Sequence, residues 1–245
     1  MTPDYADANV TGVPVSCLAL NLNGNCSVKH YAAYAVGAAL VDTEIQVTDA
    51  ELSAMGVKKG MMTLVDQDRQ RELLAQLSDH LISASHASGG SVCNSMIATA
   101  MMGAPTYMSC KVAQDDDGDI YLADLEHSGV AHRLTDRSSD GVTGKCIVLI
   151  TPDAERSMNT HLGISETLSS TEVDETAIKN SAWVYLEGYL ATSPTGHAAA
   201  LKTKALAEQY GVHTAISFSD PGMVKFFRNN MAAMVEGGVE LVFCN

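Results

Sequence analysis

Residues 87–95, Ala-Ser-Gly-Gly-Ser-Val-Cys-Asn-Ser, are the stretch best suited to hold a ligand. Two glycines, a hydroxyl and an asparagine stand just ahead of an apolar run that ends at Gly103. Glycines at the mouth of a helix let backbone N–H groups close on an anion. A phosphate cradle of that kind usually carries a lysine, and no Gly-x-x-x-x-Gly-Lys-Ser/Thr occurs in the chain. The alternative is a loop for a hydroxyl-rich ligand. Gly89 and Gly90 leave room for such a ligand on the backbone, and Asn94 can donate and accept at once, which suits a sugar hydroxyl. A plain strand-to-helix turn is the third reading of the same residues.

Other clusters carry less chemistry. Asp115–Asp119, Asp-Asp-Asp-Gly-Asp, invites calcium, but aligned on Gly118 the first and twelfth ligand positions hold Ala113 and Asp124, where an oxygen ligand and a bidentate Glu are needed. A solvated turn is expected there. His86 and His197 lie near glycine loops but stand alone, as hydrogen-bonded structural histidines do. No Gly-x-Ser-x-Gly elbow is present. Six cysteines, at 17, 26, 93, 110, 146 and 244, form no Cys-x-x-Cys pair. They read as reduced, mostly buried thiols of a cytoplasmic protein, without structural zinc.

The elements around the glycine loop follow from periodicity. Tyr31–Asp42 is an apolar run ending at an acid, as in a buried parallel strand. Thr48 and Glu51 form a capping box, stopped by Gly56. Residues 66–81 give an amphipathic helix with Leu73, Leu74, Leu77 and Leu81 on one face. Residues 106–113 look like a strand, 120–129 like a short helix, and 144–163 like two strands around Pro152-Asp153. From Ala182 onward strands and helices alternate, with helix starts at Ser193-Pro194 and Asp220-Pro221. Such repeats build βαβ units and a parallel sheet. Residues 1–29 show no period and read as an irregular extension.

Composition sets the class. The 245 residues are 46% apolar and carry a formal charge of −14. Such a chain does not bind nucleic acid through its overall field. No run of 18 apolar residues marks a membrane span, and no basic start followed by an apolar stretch marks a leader. An acidic protein meeting its ligand at a local site is the expectation.

Six segments occur in an order that resembles a known family. They are Ala39–Asp42, Gly89–Asn94, Thr151–Gly163, Leu186–Leu190, Ser217–Pro221 and Leu241–Asn245. Their order and spacing, from about Tyr31 to Asn245, resemble the ribokinase-like (PfkB) carbohydrate and nucleoside kinases, above all the adenosine-kinase type. The resemblance implies an α/β fold: a three-layer α/β/α domain with a mostly parallel sheet and a small β lid. That domain would fill 30–245, with lid segments near 43–65 and 130–163. It implies ATP and Mg2+ as cofactors, a sugar or nucleoside as acceptor and a possible homodimer through the lid. Asp42, Gly89, Gly90 and Asn94 match the residues that hold sugar hydroxyls, and Glu187 falls near a sugar-contacting acid. Arg156 matches an arginine that reaches toward the transferred phosphate. Met62 and Leu64 fall where the lid meets the substrate base or ring, or serve as lid core. Two departures stand out. Gly37-Ala38 replaces the family's Gly-Asn. Asn245 begins the Asn-x-x-Glu motif of magnesium and phosphate handling, and the Gly-Ala-Gly-Asp segment with base and anion hole would lie past it. Truncation and an inactive 245-residue chain are therefore expected, with a non-catalytic sugar- or nucleoside-binding module as the alternative. The absence of Gly-x-Gly-x-x-Gly after the first strand argues against a dinucleotide enzyme.

Overall fold

The computed structural model describes residues 17–20, 26–80, 85–134 and 137–244. An antiparallel pair, Cys17–Leu20 (β1) and Cys26–Lys29 (β2), precedes Tyr31–Val36 (β3) and Leu40–Gln46 (β4). Asp49–Ala54 (α1), Met62–Leu64 (β5), Gln67–Gln76 (α2) and Ser85–Gly89 (β6) follow. Next come Ser91–Met101 (α3), Thr106–Ser109 (β7), Asp116–His127 (α4) and Val130–Ala131 (β8). The hairpin Gly144–Ile150 (β9) and Arg156–His161 (β10) leads to Glu175–Lys179 (α5), Ser181–Glu187 (β11) and Pro194–Tyr210 (α6). His213–Ser217 (β12), Pro221–Phe226 (α7), Arg228–Val235 (α8) and Leu241–Phe243 (β13) complete the described elements.

Two sheets position the site. The larger is parallel throughout, in the order β13-β12-β11-β3-β7-β8. Its two faces bury different residues of the same strand. Tyr34 and Val36 pack with Val184, Leu186, Ala199, Ala200 and Ile216, toward α5, α6 and α8. Ala35 packs with Met108, Val92, Met96 and Tyr121, toward α3 and α4. Helices on both faces of a parallel sheet make the three-layer α/β/α fold. After β3 the chain builds β7 and β8 on one side, and then β11, β12 and β13 on the other. The strand order thus reverses between β3 and β11. In such sheets the crevice outside the carboxyl ends of the strands at this reversal takes the ligand.

The smaller sheet is mixed, in the order β5-β10-β9-β4-β6. One face packs Ile45, Ile147 and Leu149 on Leu52, Leu73 and Leu77 of the α1 and α2 segments. The chain passes between the sheets four times: after β3, after β6, before β9 and after β10. A glycine sits tightly at each. A Cβ at Gly37 would fall 2.7 Å from Glu187 Oε1, at Gly90 2.7 Å from Ala38 O, at Gly144 2.7 Å from Ala39 O, and at Gly163 2.3 Å from Val142 O.

The helix signals hold. Thr48 and Glu51 close the capping box of α1. Ser193 caps α6 ahead of Pro194, and Gly211 ends it in the left-handed region at φ 62°. Leu73 and Leu77 are buried, whereas Leu81 lies outside the described residues. Four expectations need correction. Tyr31–Asp42 is two strands in different sheets, because Gly37–Ala39 carries the chain across. Asp115–Asp119 opens α4 instead of forming a turn: Asp115 accepts from Gly118 N (2.9 Å) as the cap, and from Thr143 N and Oγ1. Residues 221–235 form two helices that meet at Phe227. Residues 17–29, read as irregular, include the β1–β2 pair. Cys93, Cys110 and Cys146 are buried free thiols, but Cys244 is exposed.

Leu73 is fully buried in the seam between α2 and the smaller sheet. Leu73→Ala should lower unfolding free energy by about 2–5 kcal/mol, read from urea midpoints at unchanged slope. A loss well under 1 kcal/mol would mean that α2 does not seal that face.

Candidate active site

Pairing register builds one wall of the site. Residues opposite one another across a sheet share a face. Asp42 is opposite Cys146, Cys146 opposite Thr160, and Thr160 opposite Leu64. The next row on that face is Glu44, Val148, Met158 and Met62. The opposite face holds the Ile45–Leu149 core, so the alternation that buries the helices also turns Asp42 toward the cleft.

That face and the carboxyl edge of the parallel sheet enclose a cavity of about 290 Å³. Asp42, Met62, Leu64, Gly90, Asn94, Arg156 and Glu187 all line it, so most of the residues predicted from sequence meet in one place. Gly89 stands directly behind Asp42: a Cβ there would lie 2.1 Å from the carboxylate. Gly90, at φ 96°, occupies the left-handed region that favours glycine. Asn245 lies outside the described residues. Sequence reasoning missed Cys146, Met158, Thr160, Ser165, Leu168 and Tyr189, which also line the cavity. For Met158 and Thr160 the signal was the period-2 pattern of β10, which places them on the face of Arg156.

The polar groups differ in how free they are. The Asp42 carboxylate makes no hydrogen bond to any described residue. Burial pushes its carboxyl up to about 6, opposed by the Arg156 guanidinium and reinforced by Glu44. Asn94 is exposed, and its side-chain amide likewise bonds to no described residue. Arg156 is tied to Glu44 at 2.7 Å, both about half exposed, at the rim. Tyr189, partly buried, has its phenol pushed up to about 12 by burial and then by the Asp220 and Glu187 carboxylates.

Glu187 is the exception. It is 2% exposed, accepts from Ala38 N at 2.9 Å and Ser91 Oγ at 2.6 Å, and also holds the Val92 N–H. Burial raises its pKa against those bonds. The carboxylate therefore sits on the first turn of α3, whose N-cap Gly90 offers no side-chain bond of its own. Helix α4 supports the same loop, as Asp124 accepts from Ser88 N at 2.8 Å. The Ser91 hydroxyl and the Val92 N–H at the start of α3 are thus engaged by a protein carboxylate. His197 is structural, bonded through Nε2 to Asn230 O at 3.1 Å.

Among the described residues no three His, Cys, Asp or Glu side chains gather to hold an ion. No helix among them is long and apolar enough to cross a membrane.

The model of the pfkB family carbohydrate kinases matches residues 54–245, most of the chain. The chain belongs to that family. A probable sugar kinase from Rhizobium etli CFN 42 is 29% identical, with a TM-score of 0.82 over 88% of this chain and 64% of its own. The adenosine kinase from Sinorhizobium meliloti is 31% identical, with a TM-score of 0.79 over 87% of this chain and 64% of its own. Mouse ribokinase is 25% identical over 126 residues, 51% of this chain and 38% of that protein. The chain thus spans less than two thirds of the length of these pfkB relatives. Their shared architecture is the ribokinase-like α/β/α fold with a smaller mixed sheet described above.

An ionised Asp42 carboxylate accepts from ligand hydroxyls on both oxygens, and protonation removes the charge that strengthens those bonds and part of that capacity. The folded pKa lies above the ordinary value of 3.8, so the stability linked to Asp42 is complete below that value and is lost as pH rises through about 6. Ligand binding runs the other way. Acceptor affinity should fall about tenfold per pH unit well below 6, and the Asp42→Asn variant should be flat there. A wild-type affinity constant between pH 7.5 and 5, read by calorimetry, would remove Asp42 from the contact set.

Proposed function

We propose that this chain supplies the acceptor half of a kinase that transfers the γ-phosphoryl group of ATP, with Mg2+, to the hydroxymethyl group of a nucleoside or sugar. The observation that carries the reading is the pairing of two open polar groups with an apolar cavity. The Asp42 carboxylate and the Asn94 amide have no hydrogen-bond partner among the described residues, and both line the cavity at the strand-order reversal. The Gly89-Gly90 backbone lies between their elements. A ribosyl or sugar ring with adjacent hydroxyls satisfies both groups at once. Met62, Leu64, Met158, Leu162 and Leu168 supply an apolar surface that a planar base would cover, which favours a nucleoside over a free sugar.

Arg156, at the rim beside Glu44, is the group proposed to meet the transferred phosphate; a planar guanidinium at developing phosphoryl charge stabilises it. The ATP phosphates and their magnesium would be held by the part of the relatives' length that this chain does not span, as would the general base. Catalysis of this type is mostly positioning and charge stabilisation. Asp42, Asn94 and the glycines would orient the acceptor, and the mixed sheet would exclude water. A cytoplasmic location and pairing of lids between two copies belong to the same reading. The alternative, an acceptor-binding module without transfer, is favoured by the Glu187 carboxylate, which already holds the Val92 N–H and the Ser91 hydroxyl at the start of α3.

Calorimetry with adenosine, inosine, ribose and fructose tests the acceptor half. Asp42→Ala and Asn94→Ala should each weaken the preferred acceptor by about 1–3 kcal/mol. Wild-type affinity in both variants would remove the site assignment. A coupled ADP-release assay, on this chain and on one extended past Asn245, tests transfer. Release is expected only from the longer chain, and Arg156→Lys there should lower turnover while leaving acceptor affinity in place. Robust release from residues 1–245 would show that base and anion site lie within them.

A further inference from the structure

A buried carboxylate is costly unless donors replace its water. Glu187 is such a group, and no cation among the described residues offsets the charge of its carboxyl. Its donors instead come from two other parts of the chain. Ala38 N, 149 residues away, belongs to the segment leaving β3, and Ser91 Oγ, 96 residues away, belongs to the first turn of α3. Val92 N adds a bond from the same turn. Three segments therefore meet on one side chain: the end of β11, the passage from β3 into β4, and the start of α3. The last two carry the proposed ligand groups, Asp42 on one and Gly90 with Asn94 on the other. Packing leaves the carboxylate little freedom, since Gly37 has no room for a Cβ against Oε1.

We propose that Glu187 is a positioning residue of the acceptor site. Its carboxylate fixes the spacing between the Asp42 strand and the Gly90–Asn94 turn by holding Ala38 on one oxygen and Ser91 on the other. It acts through those loops and not by contact with an acceptor hydroxyl. This inference rests on the acceptor reading above for its ligand, but its geometric part stands without any ligand. A helix N-terminus usually attracts an anion from solution or substrate; here the chain itself provides the anion, from the strand at the reversal point.

The experiment pairs two readouts on Glu187→Gln, which removes the charge that both loops are held by and replaces one accepting oxygen with an N–H₂ that cannot accept. The first is amide hydrogen exchange without ligand. Protection of Ala38 and Val92 should drop at least tenfold, while Val184 and Ile216 in the sheet centre keep theirs. Unchanged exchange at Ala38 and Val92 would overturn the proposal whether or not any nucleoside binds. The second is calorimetry with adenosine, 2′-deoxyadenosine and 3′-deoxyadenosine. Affinity per folded molecule should fall by a similar factor, about tenfold, for all three. Loss confined to ligands that carry one particular hydroxyl would make Glu187 a direct contact and overturn the proposal. So would a lowered melting temperature with unchanged affinity, which is the mark of a purely structural residue. If wild-type protein binds none of the three while exchange changes as expected, the nucleoside reading fails and the loop tether survives. Should Glu187→Gln fail to fold, Ser91→Ala removes one donor only. It should weaken binding in the same uniform way but less, and no change in it would count against the tether.

Discussion

The pleat of the smaller sheet is the constraint on which the rest of the molecule depends. Successive residues of a strand face opposite ways, so a sheet that serves two neighbours must divide its sequence between them. In β4 the odd positions Val41 and Ile45 go to the helices, and the even positions Leu40 and Asp42 go to the cavity. The partner strands obey the same division, with Ile147 and Leu149 behind and Cys146 in front. A slip of one residue would bury Asp42 among leucines and turn Ile45 toward the ligand. The hydrophobic seam that seals α1 and α2 is therefore also what aims the carboxylate. Stability and ligand geometry are fixed by one register.

The parallel sheet contributes differently. It offers no side-chain wall, only the ends of its strands and the starts of its helices at the point where strand order reverses. Those ends carry unsatisfied backbone groups that must find partners. The glycine loop resembles a phosphate cradle because its N–H groups are arranged as one. Its Val92 N–H and Ser91 hydroxyl are already matched, because Glu187 reaches them from the neighbouring strand. That leaves the exposed Asn94 amide, one turn further on, as the open polar group of that helix start.

How much of this was legible in the sequence depended on distance along the chain. Local signals were sound. The Thr48–Glu51 box, Ser193-Pro194 and Asp220-Pro221 each begin a helix, because a cap and its helix lie within four residues. The errors have local causes too. Tyr31–Asp42 is apolar throughout, so nothing but Gly37 marks the passage from one sheet to the other. Asp115 and Gly118 suit a turn and a helix cap equally, and the tie to Thr143 that settles the matter is 28 residues away. In the site, Asp42, Gly89, Gly90 and Asn94 were legible through motif order. Cys146 and Thr160 were not, since only strand register brings them beside Asp42. Glu187 was visible as an acid near the right place. What it does there was invisible, because its partners lie 96 and 149 residues upstream.

The glycines at the four passages between the sheets have a consequence for how this protein tolerates change. Each would place a Cβ within 2.7 Å of an atom on another segment, mostly a backbone carbonyl. Carbonyls of that kind cannot swing aside as a long side chain can. An alanine at Gly37, Gly90, Gly144 or Gly163 would act as a wedge, prising the ligand-facing plate off the body by the width of a methyl group. Large core residues, by contrast, can be trimmed at a cavity's cost and leave the two halves seated. In this fold the smallest residues are the hardest to exchange, and a random mutational survey should find its most damaging single-methyl insertions at seams where almost no side chain is present.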